Sequence, residues 1–266
     1  MKIAFIGGGA MGQAMLSAIL EKGLSTPEDI SVSDINKARL KQLNSDFGVY
    51  IIDSNLEAAK RGDTVILAIK PQNLDEVMTE IGSQLNPEQL VLSIIAGKSI
   101  ATLQRGLKHH SIVRAMPNTP AQIGQGMTIW TATSAVTEKQ RATISSILGA
   151  MGKEIYVADE KYLDMATAVS GSGPAYVFLF MESLINAAVD IGLPPDTARE
   201  LVLQTVMGSV EYAKKSDKEL AQLGEMVTSP GGTTAEALKV FNMGQFSEMV
   251  KQAVAAAYQR AKQLGG

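Results

Sequence analysis

The sequence has 266 residues, 45% of them hydrophobic, which suits one large domain or two smaller ones with a sizeable core. Its formal net charge of −3 provides no electrostatic footprint for nucleic acid or an anionic membrane surface. The absence of cysteine excludes disulfides, thiolate catalysis and cysteine metal ligands.

The first residues run straight into an apolar strand pattern and lack the layout of a secretory signal. No uninterrupted apolar run reaches the ~18 residues expected of a membrane-spanning helix. No HExxH, paired-carboxylate or other metal-ligand spacing occurs in the sequence. We therefore expect a soluble cytoplasmic protein with no metal site and with neither nucleic acid nor a membrane as its partner.

Up to about residue 158, short runs of apolar and β-branched residues alternate with helix-forming stretches. This alternation predicts a parallel sheet covered by helices. Several of the runs are continuously apolar, as expected of strands buried on both faces. The predicted strands are Ile3–Ile6, Ile30–Ser33, Val49–Ile51, Thr64–Ile69, Leu90–Ile94, Ile112–Ala115, Met127–Trp130 and Glu154–Val157.

The first predicted strand leads directly into Gly7, Gly9 and Gly12, which fit the pattern G-x-G-x-x-G. A helix is predicted over Ala10–Glu21, with Gly23 ending it. In a dinucleotide-binding turn the three glycines permit a tight turn, a close approach to a pyrophosphate, and close packing of helix on strand. The free N–H groups of the helix N-terminus would then face the phosphates. The alternative is a tight turn that binds nothing.

The second predicted strand ends at Ser33, and Asp34 follows 22 residues after Gly12. An acidic residue near this spacing bonds the ribose hydroxyls of NAD. Ser33 with Lys37 offers the opposite possibility, a site for the 2′-phosphate of NADP. Asp34 is also a plausible N-cap for the next helix, and that role is compatible with binding ribose.

Two further loops follow predicted strands, one at Lys70-Pro71 and one in the motif MPNTP at 116–120. In an open α/β sheet, ligands bind outside the carboxyl ends of the strands, so both loops are candidates to cover a cofactor. Each is also consistent with a rigid turn. The two histidines, His109 and His110, precede a strand and are expected to be exposed loop residues at the opposite edge.

After about Glu160 the apolar residues recur at helical spacing and no strand is predicted. We therefore divide the chain into a Rossmann-like dinucleotide-binding domain over 1–158 and an all-helical dimerisation and substrate-binding domain over 159–266. The helical part is apolar enough to favour an oligomer over a monomeric bundle. It opens with SGSGPAY, in which Gly171 and Gly173 predict a break or a close-contact point in a long helix that joins the two halves. Pro174 predicts a restarted helix, and Ser170 or Ser172 its cap.

A second glycine-rich stretch, TSPGGTT at 228–234, precedes a helix predicted to begin near Ala235. Hydroxyls and free N–H groups at a helix N-terminus form an anion site, which would suit a small carboxylate. The alternative is an elaborate N-cap, for which a single Ser or Thr is enough.

The motifs GxGxMG, LAIKPQ, MPNTP, SGSGPAY and TSPGGTT, in this order, closely resemble pyrroline-5-carboxylate reductase over nearly the whole chain. The resemblance implies reduction of the cyclic imine 1-pyrroline-5-carboxylate to L-proline with NADPH or NADH, the last step of proline biosynthesis. It also implies a Rossmann-type domain followed by a helical dimerisation domain, a homodimer that often assembles into a decamer, and a helical half that closes over the nucleotide domain of another subunit.

The resemblance further implies a role for each site residue. Thr234 hydrogen-bonds the ring nitrogen and is the candidate catalytic residue, while Thr119 lies near the hydride path. The family's Ser or Asn-Arg is replaced here by Asp34, which leaves the choice between NADH and NADPH open. The implied substrate-binding residues are Ser229, Gly231, Gly232 and Thr233, and the implied cofactor-binding residues are Gly7, Gly9, Ala10, Met11, Gly12, Ser33, Asp34, Asn55, Ala68, Lys70, Pro71 and Asn118.

Two other functions are consistent with parts of the sequence. A β-hydroxyacid dehydrogenase would use a lysine on the long interdomain helix, but there is no lysine between Lys161 and Lys214. A non-catalytic dinucleotide sensor would account for the first glycine motif but not for the hydroxyl-rich stretch at 228–234.

Overall fold

The computed structural model describes residues 1–265, which form two compact units. The first unit comprises Met1–Ser172 together with the end of the chain from Ala257 onward. The second comprises Gly173–Ala256. The C-terminal turns pack within the first unit, where Ala261 is buried and Leu264 lies against Gly97.

An eight-stranded sheet forms the centre of the first unit, in the order β3-β2-β1-β4-β5-β6-β7-β8. Its first six strands are parallel and have the 3-2-1-4-5-6 order of the doubly wound dinucleotide-binding fold. The predicted Rossmann-like class is therefore confirmed, with bounds close to those predicted. The strands are β1 (Ile3–Ile6), β2 (Ile30–Ser33), β3 (Tyr50–Ile51), β4 (Thr64–Leu67), β5 (Leu90–Ser93), β6 (Ile112–Met116), β7 (Gly126–Ala132) and β8 (Gly152–Tyr156).

Helices cover both faces of this sheet, so the central strands have no polar face. In β1, Ile3 and Phe5 belong to one apolar cluster, and Ala4 and Ile6 belong to the cluster on the other face. This is why the strands are continuously apolar in sequence. The helices are α1 (Ala10–Glu21), α2 (Lys37–Phe47), α3 (Asn55–Arg61), α4 (Leu74–Ile81), α5 (Ile100–Leu107), α6 (Glu138–Gly149) and α7 (Lys161–Ala166).

One strand departs from the prediction of a parallel sheet: β7 pairs antiparallel with β6, with Ala115 opposite Trp130. A parallel pair needs a crossover of about a dozen residues or more. Only residues 117–125 separate β6 from β7, and they contain a single short 3₁₀ helix, Thr119–Ile123. The chain therefore turns back beside β6, and β8 then pairs parallel with β7.

Of the two predictions for SGSGPAY, the helix break is wrong and the close contact is found at Gly171, where a Cβ would lie 3.0 Å from Met116 Cε. A π-helical segment, Thr167–Gly171, continues directly from α7, and the Ser172 N–H donates to the Thr167 carbonyl at 2.8 Å. The proposed serine caps are wrong, because the Ser170 hydroxyl donates back to the Ala166 carbonyl and Ser172 has a right-handed helical backbone. A one-residue bulge absorbs the small and cyclic residues, so the helix does not need to stop.

The second unit is entirely helical over its described residues, as predicted. It leaves large apolar side chains exposed, among them Phe178 at 59%, Leu179 at 64% and Met243 at 77%. Exposed apolar surface of this kind marks an interaction site. The helices that begin here are α8 (Gly173–Asp190), α9 (Pro195–Lys215), α10 (Leu220–Met226), α11 (Thr233–Met243) and α12 (Phe246–Gly265).

Counted through the π segment, Lys161–Asp190 forms a helix that is long and apolar enough to cross a membrane, judged by length and composition alone. Only 6% of its apolar window is buried within the chain. The expectation of no membrane span depended on interruptions in the apolar run, and the structure shows that the helix passes through them.

A glycine at the start of β8 offers a stability test. Gly152 has φ of +141°, and a Cβ there would lie 2.5 Å from the Gly126 nitrogen and overlap its carbonyl oxygen. Gly152→Ala should cost about 3 kcal/mol through backbone strain and overpacking, lowering Tm by roughly 5 °C or more. Gly149→Ala is the control, because its Cβ would lie within 4 Å of no atom among the described residues. If both variants melt like the parent, the β7–β8 geometry is wrong.

Candidate functional site

The glycine turn, residues 7–12, lies where the strand order reverses between β1 and β4. Gly7 has φ of +101°, and a Cβ on it would lie 2.5 Å from the Ala68 carbonyl oxygen. A Cβ on Gly12 would lie 2.7 Å from the Gly7 carbonyl oxygen, whereas one on Gly9 would meet nothing within 4 Å in the described chain. Gly7 and Gly12 therefore permit close packing, and Gly9 leaves open space where a ligand can approach.

The N-terminus of α1 faces this open space with unused donors. Gly9 is the N-cap, no side chain of residues 1–265 caps it, and the first turn has no acidic residue. Ala10 and Met11 are the first two residues of the helix. Free N–H groups with the positive end of the helix dipole form a phosphate site. The residues present therefore fit the pyrophosphate of a dinucleotide.

The peptide of Gly8 is held from both sides by residues that follow β2. The Gly8 N–H donates to Asp34 Oδ2 at 2.7 Å, and Arg39 Nε donates to the Gly8 carbonyl at 2.6 Å. Arg39 also bonds Gln13 of α1. These contacts fix the glycine turn against β2, and they place the Asp34 carboxylate beside it.

The predicted N-cap role of Asp34 is wrong. Asn36 caps α2, accepting from the N–H groups of Ala38 and Arg39. Asp34 Oδ1 instead accepts from the Asn36 N–H at 2.8 Å, in a tight Asx turn. Asp34 and Asn36 are both suitable N-cap residues by type. Which of them caps α2 depends on where the helix begins, and it begins at Lys37. A carboxylate has about four lone-pair positions, so Asp34 keeps capacity for ribose hydroxyls.

Ser33 and Asn55 meet at the same edge. The buried Ser33 hydroxyl donates to Asn55 Oδ1 at 2.7 Å, and Asn55 Nδ2 donates to Glu80 Oε2 at 2.6 Å. Lys37 lies 3.6 Å from Asp53, an exposed pair. The hydroxyl and ammonium that would hold a 2′-phosphate are thus both engaged with protein groups.

The loop after β4 carries the next set of predicted residues. Ala68 donates its N–H to the Ile6 carbonyl at 2.8 Å, which ties this loop to the end of β1. Lys70 is exposed and is the N-cap of a short 3₁₀ helix that begins at Pro71. These residues therefore border the glycine turn through Ala68, with the Lys70 ammonium directed to the solvent side.

Asn118 lies at the carboxyl end of β6, directly before Thr119. Its Oδ1 accepts from the Met127 N–H at 2.9 Å, and its Nδ2 donates to the Ser170 carbonyl at 3.1 Å. The side chain therefore joins the loop after β6 to both β7 and the π segment. All the predicted cofactor residues lie in the first unit, at or beside the carboxyl edge of the sheet.

The predicted substrate residues lie in the second unit, around the start of α11. This helix begins at Thr233, not near Ala235, so Thr233 and Thr234 form its first turn. Gly232 is the N-cap, and no side chain in the described structure caps it. Gly231 has φ of +72°, which brings the chain round from Ser229 into the helix. The N-cap alternative is therefore wrong, and the first-turn N–H groups remain available to an anion.

His109 corrects another prediction, although His110 is exposed as expected. His109 is 4% exposed, and its Nε2 donates to the Gln89 carbonyl at 2.7 Å. Gln89 in turn donates to the Ala59 and Gly62 carbonyls. The ring thus supports a buried polar cluster around the starts of the central strands, away from the glycine turn.

A buried ion cluster was missed in the sequence. Arg114 of β6 is 4% exposed and donates to Glu160 Oε1 and Asp164 Oδ1, each at 2.8 Å. Glu160 also accepts from the Ile100 N–H at 2.8 Å. The cluster holds α7 against β6 and α5. The available signal was the arginine within the otherwise apolar strand IVRAM, since a buried cation requires partners.

The clear pKa shifts lie outside the site. The hydrogen bond that Lys161 donates to Asp159 lowers the pKa of this carboxyl below its ordinary value, and the same bond raises the pKa of Lys161. Both groups are fully exposed, so the pair is screened by solvent and salt.

Two parts of the chain match models of known protein families. Residues 160–264 match the family model for pyrroline-5-carboxylate reductase dimerisation, and residues 2–97 match that for coenzyme F420-dependent NADP oxidoreductase. The chain is 40% identical over 265 residues to pyrroline-5-carboxylate reductase of Synechocystis, covering 100% of this chain and 98% of that protein. The chain belongs to the pyrroline-5-carboxylate reductase family.

Other members of the pyrroline-5-carboxylate reductase family match over similar spans. The enzyme of Pseudomonas aeruginosa is 38% identical, with 99% of this chain and 96% of that protein covered. A crystal structure of the Plasmodium falciparum enzyme with NADP bound has a TM-score of 0.92 at 35% identity, covering 100% and 98% of the two chains. The predicted fold of a Rossmann-like domain followed by a helical dimerisation domain is thus confirmed.

The exposed apolar surface of α8 and α11 lies within the dimerisation match of this reductase family. A dimer interface buries an apolar surface of this kind.

Proposed function

We infer that this protein reduces 1-pyrroline-5-carboxylate to L-proline, the last step of proline biosynthesis, with NADPH or NADH as hydride source. One observation carries the inference: relatives named for this reaction match the chain over 99–100% of its length at 38–40% identity. When bound, the nicotinamide supplies a hydride to the imine carbon. The residues of the chain bind and orient the two reactants and handle one proton.

In this proposal the glycine turn and α1 hold the dinucleotide. Gly7, Gly9, Ala10, Met11 and Gly12 receive the pyrophosphate on the uncapped helix N-terminus. Asp34 takes the adenosine ribose hydroxyls with its remaining lone pairs. The positions that line the adenosine and nicotinamide ends of the site are Ser33, Asn55, Ala68, Lys70 and Pro71. Asn118 borders the nicotinamide end, with its side-chain amide bonded to backbone groups.

We place the substrate carboxylate at the start of α11. Ser229, Gly231, Gly232 and Thr233 surround an uncapped helix N-terminus, which favours a small anion. Thr234 follows in the same turn, where its hydroxyl would hydrogen-bond the ring nitrogen. A protonated imine is a good hydride acceptor because its carbon is electron-poor. Threonine is a weak acid, so Thr234 orients the ring or relays a proton and does not act as a strong acid.

The proposed dinucleotide site lies in the first unit and the proposed carboxylate site in the second. Hydride transfer therefore requires that a first unit and a second unit come together. We propose that the helical part of one subunit closes over the nucleotide domain of another within the homodimer. We propose that the dinucleotide-binding domain ends at residue 158 and that the helical domain begins at residue 159. The end of β8 at Tyr156 and the start of the dimerisation match at residue 160 support this boundary.

We also propose that dimers assemble further into a decamer and that the protein is cytoplasmic. The extent of exposed apolar surface on the second unit supports association beyond a monomer. Light scattering on the purified protein gives the subunit number, and a monomer at micromolar concentration would contradict this part of the proposal.

The reaction itself is tested by following NADH and NADPH oxidation with pyrroline-5-carboxylate at matched concentrations. We expect turnover with at least one dinucleotide and formation of L-proline in equal amount. Oxidation that depends instead on a β-hydroxyacid, or dinucleotide binding without any turnover, would support one of the two alternative functions.

Asp34 makes the cofactor preference testable. A carboxylate beside the glycine turn repels a 2′-phosphate, and Ser33 and Lys37 are engaged elsewhere. Asp34→Ser should therefore shift the ratio of kcat/KM values toward NADPH by about 10-fold or more, a change of about 1.4 kcal/mol. Asp46→Ser, which removes an exposed carboxylate near the other end of α2, is the control. An unchanged ratio in Asp34→Ser would show that Asp34 only supports the turn.

Thr234 makes the substrate site testable. Thr234→Ala should lower kcat/KM for the imine by roughly 10²-fold, the low end for loss of a positioned proton-handling group. The dissociation constant of the dinucleotide should change little, because Thr234 lies in the second unit. Thr228→Ala is the matched control, since that hydroxyl donates to the Gly224 carbonyl. Equal loss of dinucleotide affinity in Thr234→Ala would mean that the residue serves the fold.

A further inference from the structure

Two motifs about 50 residues apart, MPNTP and SGSGPAY, meet through one side chain. Asn118 Nδ2 donates to the Ser170 carbonyl at 3.1 Å, and Asn118 Oδ1 accepts from the Met127 N–H at 2.9 Å. Each heteroatom of the amide thus already bonds a backbone group. This pairing differs from a side chain that is held free to bind a cofactor.

The Ser170 carbonyl needs an outside donor because of the residue four positions later. In an α-helix this carbonyl would accept from the N–H of residue 174. Residue 174 is proline, which has no N–H. The π segment ends at Gly171, and Ser170 is only half-exposed, so an unpaired carbonyl here would be costly. The side-chain amide of Asn118 takes the place of the missing donor.

A second contact joins the same two segments. A Cβ on Gly171 would lie 3.0 Å from Met116 Cε, so the absence of a side chain lets the π segment pack against the end of β6. Beyond Asn118, the 3₁₀ helix Thr119–Ile123 places Ala121, 2% exposed, in the same apolar cluster as Met15 of α1. The π segment is thus connected through Asn118 to the helix that starts the glycine turn.

We propose that Asn118 is a positioning residue, supplying the hydrogen bond that Pro174 denies to Ser170 and so fixing the π segment against the loop at the carboxyl end of β6. Its effect on catalysis rests on the proposed function. A displacement of about 1 Å near reacting groups can cost up to ~10²-fold in rate. The contact therefore acts on kcat through the position of the π segment beside Asn118, at the nicotinamide end of the proposed site, and has little effect on dinucleotide affinity.

The substitution Pro174→Ala gives a direct test, because it restores an N–H that can donate to the Ser170 carbonyl. The cycle comprises the parent, Asn118→Asp, Pro174→Ala and the double variant. Asn118→Asp keeps the acceptor for Met127, removes the donor to Ser170 and adds a negative charge, for which Asn118→Ala in the same cycle is the control. We expect it to lower kcat about 10-fold in the parent background and about threefold or less in the Pro174→Ala background. The same loss in both backgrounds would overturn the proposal.

A readout independent of turnover is hydrogen exchange followed by mass spectrometry on peptides covering residues 165–176. Asn118→Asp should speed exchange there, and Pro174→Ala should reverse that effect. Asn118→Ala should also speed exchange at 118–127, where the Met127 N–H loses its acceptor, and Pro174→Ala should not restore that segment. No change at 165–176 in either Asn118 variant would contradict the proposal. Because this readout needs no substrate, it decides the proposal even if the parent lacks the proposed activity.

Dinucleotide titration separates positioning from direct binding. Asn118→Ala, which adds no charge, should leave the dissociation constants for NADH and NADPH within about threefold of the parent, whereas a 10-fold weakening, as large as the loss in kcat, would make Asn118 a ligand and overturn the proposal. Asn44→Ala is the matched control, since Asn44 Nδ2 also donates to a backbone carbonyl, that of Val49 at 2.9 Å. Pro195→Ala controls for proline replacement, because Pro195 is the first residue of α9 and its N–H would be free in any case.

Discussion

The architecture depends on the close approach of β1 and β4 at their carboxyl ends. The strands run side by side in register, and just beyond them Gly7 lies against the Ala68 carbonyl with no room for a Cβ. Here the chain order of the sheet reverses, so the loops after β1 and β4 diverge to opposite faces and leave a crevice. The uncapped N-terminus of α1 opens into that crevice. A side chain on Gly7 would keep the two strands from approaching so closely at this end, and the phosphate site would be displaced.

Hydrogen bonds, more than apolar contacts, hold the parts of the site around this crevice. Asp34 and Arg39 hold the Gly8 peptide, Asn55 joins β2 to α4, and Arg114 ties α7 to β6. Such contacts are directional, so they fix loops that have few apolar side chains of their own. The second unit differs in that apolar surface is its main feature. Its helices leave apolar side chains exposed, in keeping with a domain that completes its core in a dimer.

The strands and the first glycine motif were predictable from the sequence because burial on both faces gives an unmistakable apolar run. The direction of β7 was not predicted, since it depends on the length of the connection after Met116 more than on the strand itself. His109 and Arg114 show a second limit. Their burial is set by partners that lie far away in sequence, Gln89 for the first and Glu160 with Asp164 for the second. The start of α11 and the cap of α2 were each misplaced by two residues, where several polar residues compete for the same role. The helix break that was one prediction for SGSGPAY does not occur, because the donor that replaces the proline N–H comes from Asn118, outside the helix.

The central claim is that the glycine turn at the β1/β4 crevice is a dinucleotide site. It is tested most directly by calorimetric titration of NADH and NADPH into the protein without substrate, in the parent and in Gly9→Asp. A Cβ fits at Gly9, so this variant keeps the fold and places a carboxylate in the open space before α1. The account predicts one dinucleotide bound per chain in the parent and at least 10-fold weaker binding in Gly9→Asp, with a Tm no lower than that of the parent because Asp is a favourable N-cap. Equal affinity in the two proteins, or no binding in the parent, would contradict it.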